Sequence, residues 1–133
     1  MIDPLGRLLT EIRSDATVAA ITTRIRGEEI QAGDEPPFVI IRTFPIVREP
    51  RLPHARYQYM ILCYGTGPQS TATLRGAVSD AIHNIGPRLT AAGIGIYRSQ
   101  VESEGQTQTD PDTQWMFQPV IVWVRASTVA GTA

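Results

Sequence analysis

The sequence predicts one α+β domain: an antiparallel or mixed sheet of about four to five strands with two helices packed on one face. Three observations lead there. Apolar residues at helical spacing open the chain and recur near its middle; each such segment is followed by a pair of β-branched, apolar runs; and 133 residues at 42% hydrophobic content suffice for one core without staples. The order is α-β-β-α-β-β, and two hairpins each preceded by a helix most simply share one sheet.

The first helix follows from Asp3 as a cap, Pro4 at the first helical position, and Leu5, Leu8, Leu9 and Ile12 on one face. Ser14 and Asp15 can start a second turn carrying Val18 and Ile21. Ile25 to Ile30 has the composition of a short strand without a decisive pattern, and Gly33 to Pro37 reads as a loop. Phe38 to Phe44 is β-branched and bounded by prolines, which predicts a strand. Pro45 to Pro53, rich in proline and arginine, is too punctuated for regular structure. A strand from about Arg56 to Tyr64 ends at Gly65-Thr66-Gly67-Pro68.

A second helix starts near Ser70 with Leu74, Val78, Ala81, Ile82 and Ile85 on one face, and Gly86-Pro87 is expected to break or fray its end. Strands follow over about Ile94 to Glu104 and Gln114 to Ala126, joined by a polar loop from Gly105 to Thr113. The domain is expected to span 1–126, with 127–133 a small, polar, flexible tail.

The strands carry apolar residues on both faces, whereas a sheet covered on one side should alternate. In the last strand Trp115, Phe117, Ile121 and Trp123 point one way, and Met116, Val120, Val122 and Val124 the other. Tyr59 and Ile61 likewise oppose Met60, Leu62 and Tyr64. Two helices cannot sheathe both faces, so the second face is either crossed by the long loops or buried by another subunit. Trp115, Trp123, Tyr59 and Tyr64 are the candidate self-association residues. Pro119 cannot donate to a ladder, which places it on an edge or at a bulge and disfavours continued strand addition there.

Chemistry finds little support. His54 and His83 are the only histidines; His83 lies off the apolar helix face and should meet solvent, and neither has a second ligand at metal spacing. No nucleophile elbow or ordered triad accompanies them. Cys63, the only cysteine, lies mid-strand as a small core residue and cannot form an internal disulfide. Gly93-Ile94-Gly95 opens a strand and so lacks the context of a phosphate loop. No catalytic, cofactor or metal site is expected. Met1 to Pro4 predicts no signal peptide, and no run approaches the roughly 18 apolar residues of a membrane span.

Charge is more informative. All twelve basic residues are arginine, which fits both a GC-rich coding bias and selection for bidentate contacts. A net charge of −1 argues against tight non-specific DNA binding. Arg48, Arg51 and Arg56 cluster with Arg42 around one connection, opposed there only by Glu49. Glu102, Glu104, Asp110 and Asp112 occupy another with no basic residue among them. These seven are candidate partner-interface residues.

Several segments together carry a family resemblance: the Asp-Pro-Leu helix; Asp15 to Ile21 and the arginine-bearing segment after it; Pro36 to Ile41; Tyr57 to Gly65; the alanine-rich helix with Val78 and Ile82; and Asp110-Pro111-Asp112 leading into a Trp-Val-Arg strand. In order and spacing, over nearly the whole chain, they resemble the tail-terminator, or tail-completion, proteins of long-tailed bacteriophages. The resemblance implies a non-enzymatic subunit of a sixfold ring that ends tube growth and offers a docking surface to the head. Its partners would be itself, the tail tube protein and a head-tail connector or head-closure protein, with only transient DNA passage. It would assemble in the host cytoplasm and end in the virion. Two alternatives remain open: a ligand-binding or enzymatic dimer with a pocket on the uncovered sheet face, and another phage neck protein such as head closure.

Overall fold

The computed structural model describes residues 4–27, 35–43, 47–48, 54–91, 96–111 and 114–127. The fold is α+β, as expected. Its elements are α1 (Pro4–Ser14), α2 (Ala16–Ile21), β1 (Ile25–Gly27), β2 (Phe38–Thr43), β3 (Val47–Arg48), β4 (His54–Gly65), α3 (Pro68–Ala91), β5 (Ile96–Glu104), β6 (Gln108–Thr109) and β7 (Met116–Ser127).

The sheet runs β1-β2-β4-β7-β5, with β3 attached to β4 and β6 to β7. β1 pairs parallel with β2, so the sheet is mixed; the long β4 and β7 pair antiparallel at its centre. Asp15 separates the first two helices by capping the second: its carboxylate accepts from the N–H groups of Thr17 and Val18 at 3.0 and 3.1 Å. Arg13, in the last turn of α1, donates to the Ile25 carbonyl and ties that helix to the edge strand.

The three described helices lie on one sheet face. Leu8 and Ile12 of α1, Val18 of α2, and Leu74, Val78 and Ile82 of α3 form a single buried core with alternate strand residues: Val39 and Ile41, Tyr57 to Cys63 in steps of two, and Val120, Val122 and Val124. Gly65 allows the chain to turn from β4 into α3, since a Cβ there would fall 2.6 Å from the Thr71 backbone nitrogen.

The structure corrects several expectations. The Pro45–Pro53 connection contains strand β3, whose Val47 and Arg48 pair with Arg56 and Ala55, and β4 accordingly begins at His54. Helix α3 does not stop at Gly86-Pro87 but continues to Ala91. Proline removes a single N–H donor, aimed at the carbonyl four residues earlier, and here the remaining backbone keeps the helical path. β6 interrupts the polar loop before β7.

Pro119 is on neither an edge strand nor a register bulge of its own strand. β7 is central, and Pro119 stands opposite Leu62 of β4. Its carbonyl accepts from Gly105 at 2.7 Å on the other side, where β5 has ended at Glu104 and β6 has not yet begun. The absent N–H therefore faces a gap between two strands, where no ladder bond is interrupted. The tail expected at 127–133 lies outside the described residues except for Ser127, which ends β7.

Candidate assembly surface

The sheet face away from the helices has two halves. One is aromatic. Phe38 stacks on Tyr64 with centroids 4.5 Å apart, Trp115 meets Phe38 edge-on at 5.5 Å, and Phe117 lies 5.2 Å from Tyr64. Phe38 and Tyr64 form a second buried cluster with Ile40 and Leu62, edged by the partly buried Met60, Trp115 and Phe117. This half is thus closed largely by its own aromatics, which removes it as an open pocket. A shallow cleft does border it, lined by Glu35, Pro36, Gly65, Thr66, Gln114 and Trp115.

The other half is polar. The register places Gln58 opposite Trp123, and Gln100 opposite Trp123 on its other side. Arg125 lies over the half-buried Trp123 ring at 5.7 Å. Gln58 donates to Glu102, which stands where β5 shifts register between Val101 and Ser103.

The proposed self-association residues therefore separate. Trp115 and Trp123 are half-buried on the second face, and Tyr64 shares that face but is buried under Phe38 and Trp115. Tyr59 does not belong with them: strand alternation turns it into the helix-side core, where it is 3% exposed.

The charged candidates separate too. Arg48 and Arg56 lie on paired strands, not in a loop, and are placed by backbone register alone. Arg51 and Asp112 lie outside the described residues. Glu104 is turned inward against α3, where Arg75 reaches it at 2.6 Å and Ser79 donates to the same oxygen. The Ser79 hydrogen bond, opposed by partial burial and reinforced by the Arg75 guanidinium, holds the Glu104 carboxyl below its ordinary range. Asp110 accepts from the Tyr64 phenol at 3.3 Å; burial, with that carboxylate beside it, pushes the phenol above its ordinary value.

A polar chain missed in the sequence extends this contact. Arg75 donates to Gln118 at 2.7 Å, and Gln118 donates to the Thr107 hydroxyl at 2.6 Å. It fastens α3 to the ends of β5 and β7. Gln118 was visible as a polar residue on the helix-facing side of a strand otherwise lined with valines, a position that demands a partner.

Nothing in the described residues assembles reactive groups. No group of three or more His, Cys, Asp or Glu that could hold a metal occurs among them. His83 is exposed, and burial pushes the Cys63 thiol up to about 12, far from a thiolate at neutral pH. No helix among the described residues is long and apolar enough to cross a membrane.

Among the described residues the architecture is a five-strand mixed sheet, extended by two short strands, with three helices on one face. Solved structures share it. One is a chain in the virion of a native gene transfer agent (GTA) particle, which is similar at a TM-score of 0.67 over 93% of this chain and 94% of that one, with 13% sequence identity. At that identity the likeness is one of fold. No family model matches the sequence, and no curated protein matches it.

Proposed function

We propose that this chain is a structural subunit of a phage-like virion, and more specifically a tail terminator that closes into a ring on the end of the tail tube. The observation carrying the coarser reading is the shared fold, end to end, with a component of a gene transfer agent virion. The finer reading rests on the resemblance of segments such as Pro36–Ile41 and Tyr57–Gly65 to tail-terminator proteins.

The surface chemistry fits a subunit that works by contact. A half-buried Trp123, flanked in register by Gln58 and Gln100 and with Arg125 over its ring, has the composition of an interface rim in which apolar groups supply affinity and charges set orientation. Every joint of a closed ring is the same head-to-tail contact, so one basic and one acidic element per subunit can be satisfied all round the circle. In this role the subunit catalyses nothing and needs no cofactor.

Light scattering over a wide concentration range, with and without tail tubes, tests the reading. Concentration-dependent or tube-dependent association supports it. A constant dimer that binds a small ligand would favour a binding or enzymatic module instead.

A further inference from the structure

The cleft beside the aromatic cluster joins a carboxylate to an aromatic ring. It holds about 390 Å³, near the lower end of the range for binding pockets, with Glu35 exposed on one wall and the half-buried Trp115 on another. No basic side chain is among the described residues that line it. Trp115 is held in place: its ring meets Phe38 and Tyr64 edge-on, and its carbonyl accepts from the Asp110 N–H at 2.8 Å. Gln114, just before it, has a left-handed φ of 62°, uncommon for a residue that carries a side chain. Its N–H on the Asp110 carbonyl and its amide on the Pro111 carbonyl hold it there. Backbone kept in such a conformation by its surroundings is concentrated at ligand sites.

We propose that this cleft is a binding site for a guanidinium group, filled by Arg51 of a second copy of the chain. A guanidinium is the side-chain cation that can lie against an indole and also fork onto a carboxylate. An anion is the competing ligand, because α3 starts at Pro68, just past the Gly65 and Thr66 that border the cleft, and a helix amino end attracts negative charge. The Glu35 carboxylate on the cleft wall repels it.

The chain cannot fill its own cleft. β4 runs twelve residues from His54 to Gly65, about 36 Å at the ordinary strand rise, and the cleft borders the Gly65 end. The connection that carries Arg51, residues 49–53, joins β3 to β4 at the His54 end. Tethered at both anchors, it reaches roughly 10 Å at most. The basic turn and the cleft are therefore at opposite ends of one molecule, and a joint between them is head-to-tail. Charge favours that joint: Arg51 stands in sequence between Arg48 and Arg56, whereas Asp110 and Asp112 precede the cleft residues Gln114 and Trp115. Leu52 and Pro53, next to Arg51, match the apolar Pro36 and Met116 of the cleft wall. The inference requires only that two copies meet, so it does not rest on the tail-terminator reading.

The test is sedimentation velocity of the full chain over a wide concentration range, without tail tubes. Glu35→Gln removes the carboxylate from an exposed position, and Arg51→Gln removes the guanidinium. Each variant alone is expected to associate at least tenfold more weakly than wild type. An equimolar mixture keeps one working joint, Arg51 of the first chain in the cleft of the second, so it is expected to recover association but to stop at dimers. Should Arg51→Gln fail to fold, Arg51→Lys, which keeps the charge but loses the planar fork, is expected to weaken association several-fold. Arg7→Gln, at an exposed position on α1, is the control and leaves association unchanged. A wild-type chain that stays monomeric at every concentration overturns the proposal. So do variants that associate as wild type does, or a mixture that associates no better than either variant alone. Failure here leaves the capping of tail tubes to its own imaging test.

Discussion

Gly105 lies directly against the ring of Pro119. Its N–H donates to the Pro119 carbonyl at 2.7 Å, and a Cβ at residue 105 would fall 2.4 Å from the proline Cγ and 2.8 Å from its Cδ. The ring cannot swing aside as a flexible side chain can, so the glycine is fixed by contact. Gly105→Ala is expected to destabilise the chain by about 1 to 3 kcal/mol, the usual cost of forcing extra volume into a packed site. Gly76→Ala, on α3, where a Cβ meets nothing within 4 Å, should be neutral or slightly stabilising. Urea unfolding of the two variants checks the contrast.

The contact also shows why a proline is tolerated in a central strand. The residue type alone reveals the cost, a missing donor, but not the break between β5 and β6 that the donor would have faced. Alternation, by contrast, was legible: Val120, Val122 and Val124 turn to the helices while Phe117 and Trp123 turn away, because the period of a strand is local. β3 and β6 were not legible, since two residues have no period and only their partner strands define them. The Arg75–Glu104 contact was equally hidden. It joins residues far apart in the chain, and it took Glu104 out of a hairpin that looked uniformly available.

That contact makes stability depend on pH. Glu104 titrates below its ordinary value of 4.5 because the fold favours its ionised form. Its contribution is therefore present above about pH 4.5 and is lost as pH falls through the folded-state value. Glu104→Gln should be less stable than wild type at pH 6, and the gap should narrow or close by pH 3. Urea midpoints of both proteins at the two pH values provide the measurement. Because Glu104 is more than a third exposed, the effect is expected to be small.

Cys63 is fully buried and its thiol is raised to about 12, chiefly by loss of solvation. Alkylation by iodoacetamide at pH 8 should be negligible in the native chain and rapid in urea. Labelling in native buffer should follow the rate or population of unfolding. Cys63→Ala is expected to cost about 0.5 to 2 kcal/mol without affecting assembly.

The basic and acidic elements make a further, separable prediction. Reversing Arg48 and Arg51 to Glu should weaken ring formation and tube docking at low salt. Reversing Glu102 and Asp112 to Arg in the same chain should partly restore them if the two elements meet across a subunit joint. Exposed pairs contribute only about 0 to 1 kcal/mol each, so the rescue should appear in assembly rate and salt dependence more than in final affinity. Disruption without rescue would assign the arginines to the tube or the connector. Sedimentation at two ionic strengths reads the outcome.

The most direct test of the central claim is negative-stain imaging of isolated tail tubes mixed with the purified chain. The tail-terminator reading predicts a sixfold ring seated on one end of each tube, and tubes that no longer elongate when fresh tube protein is added. Tubes with bare ends that continue to grow, beside a chain that remains a compact monomer under every condition, would contradict it.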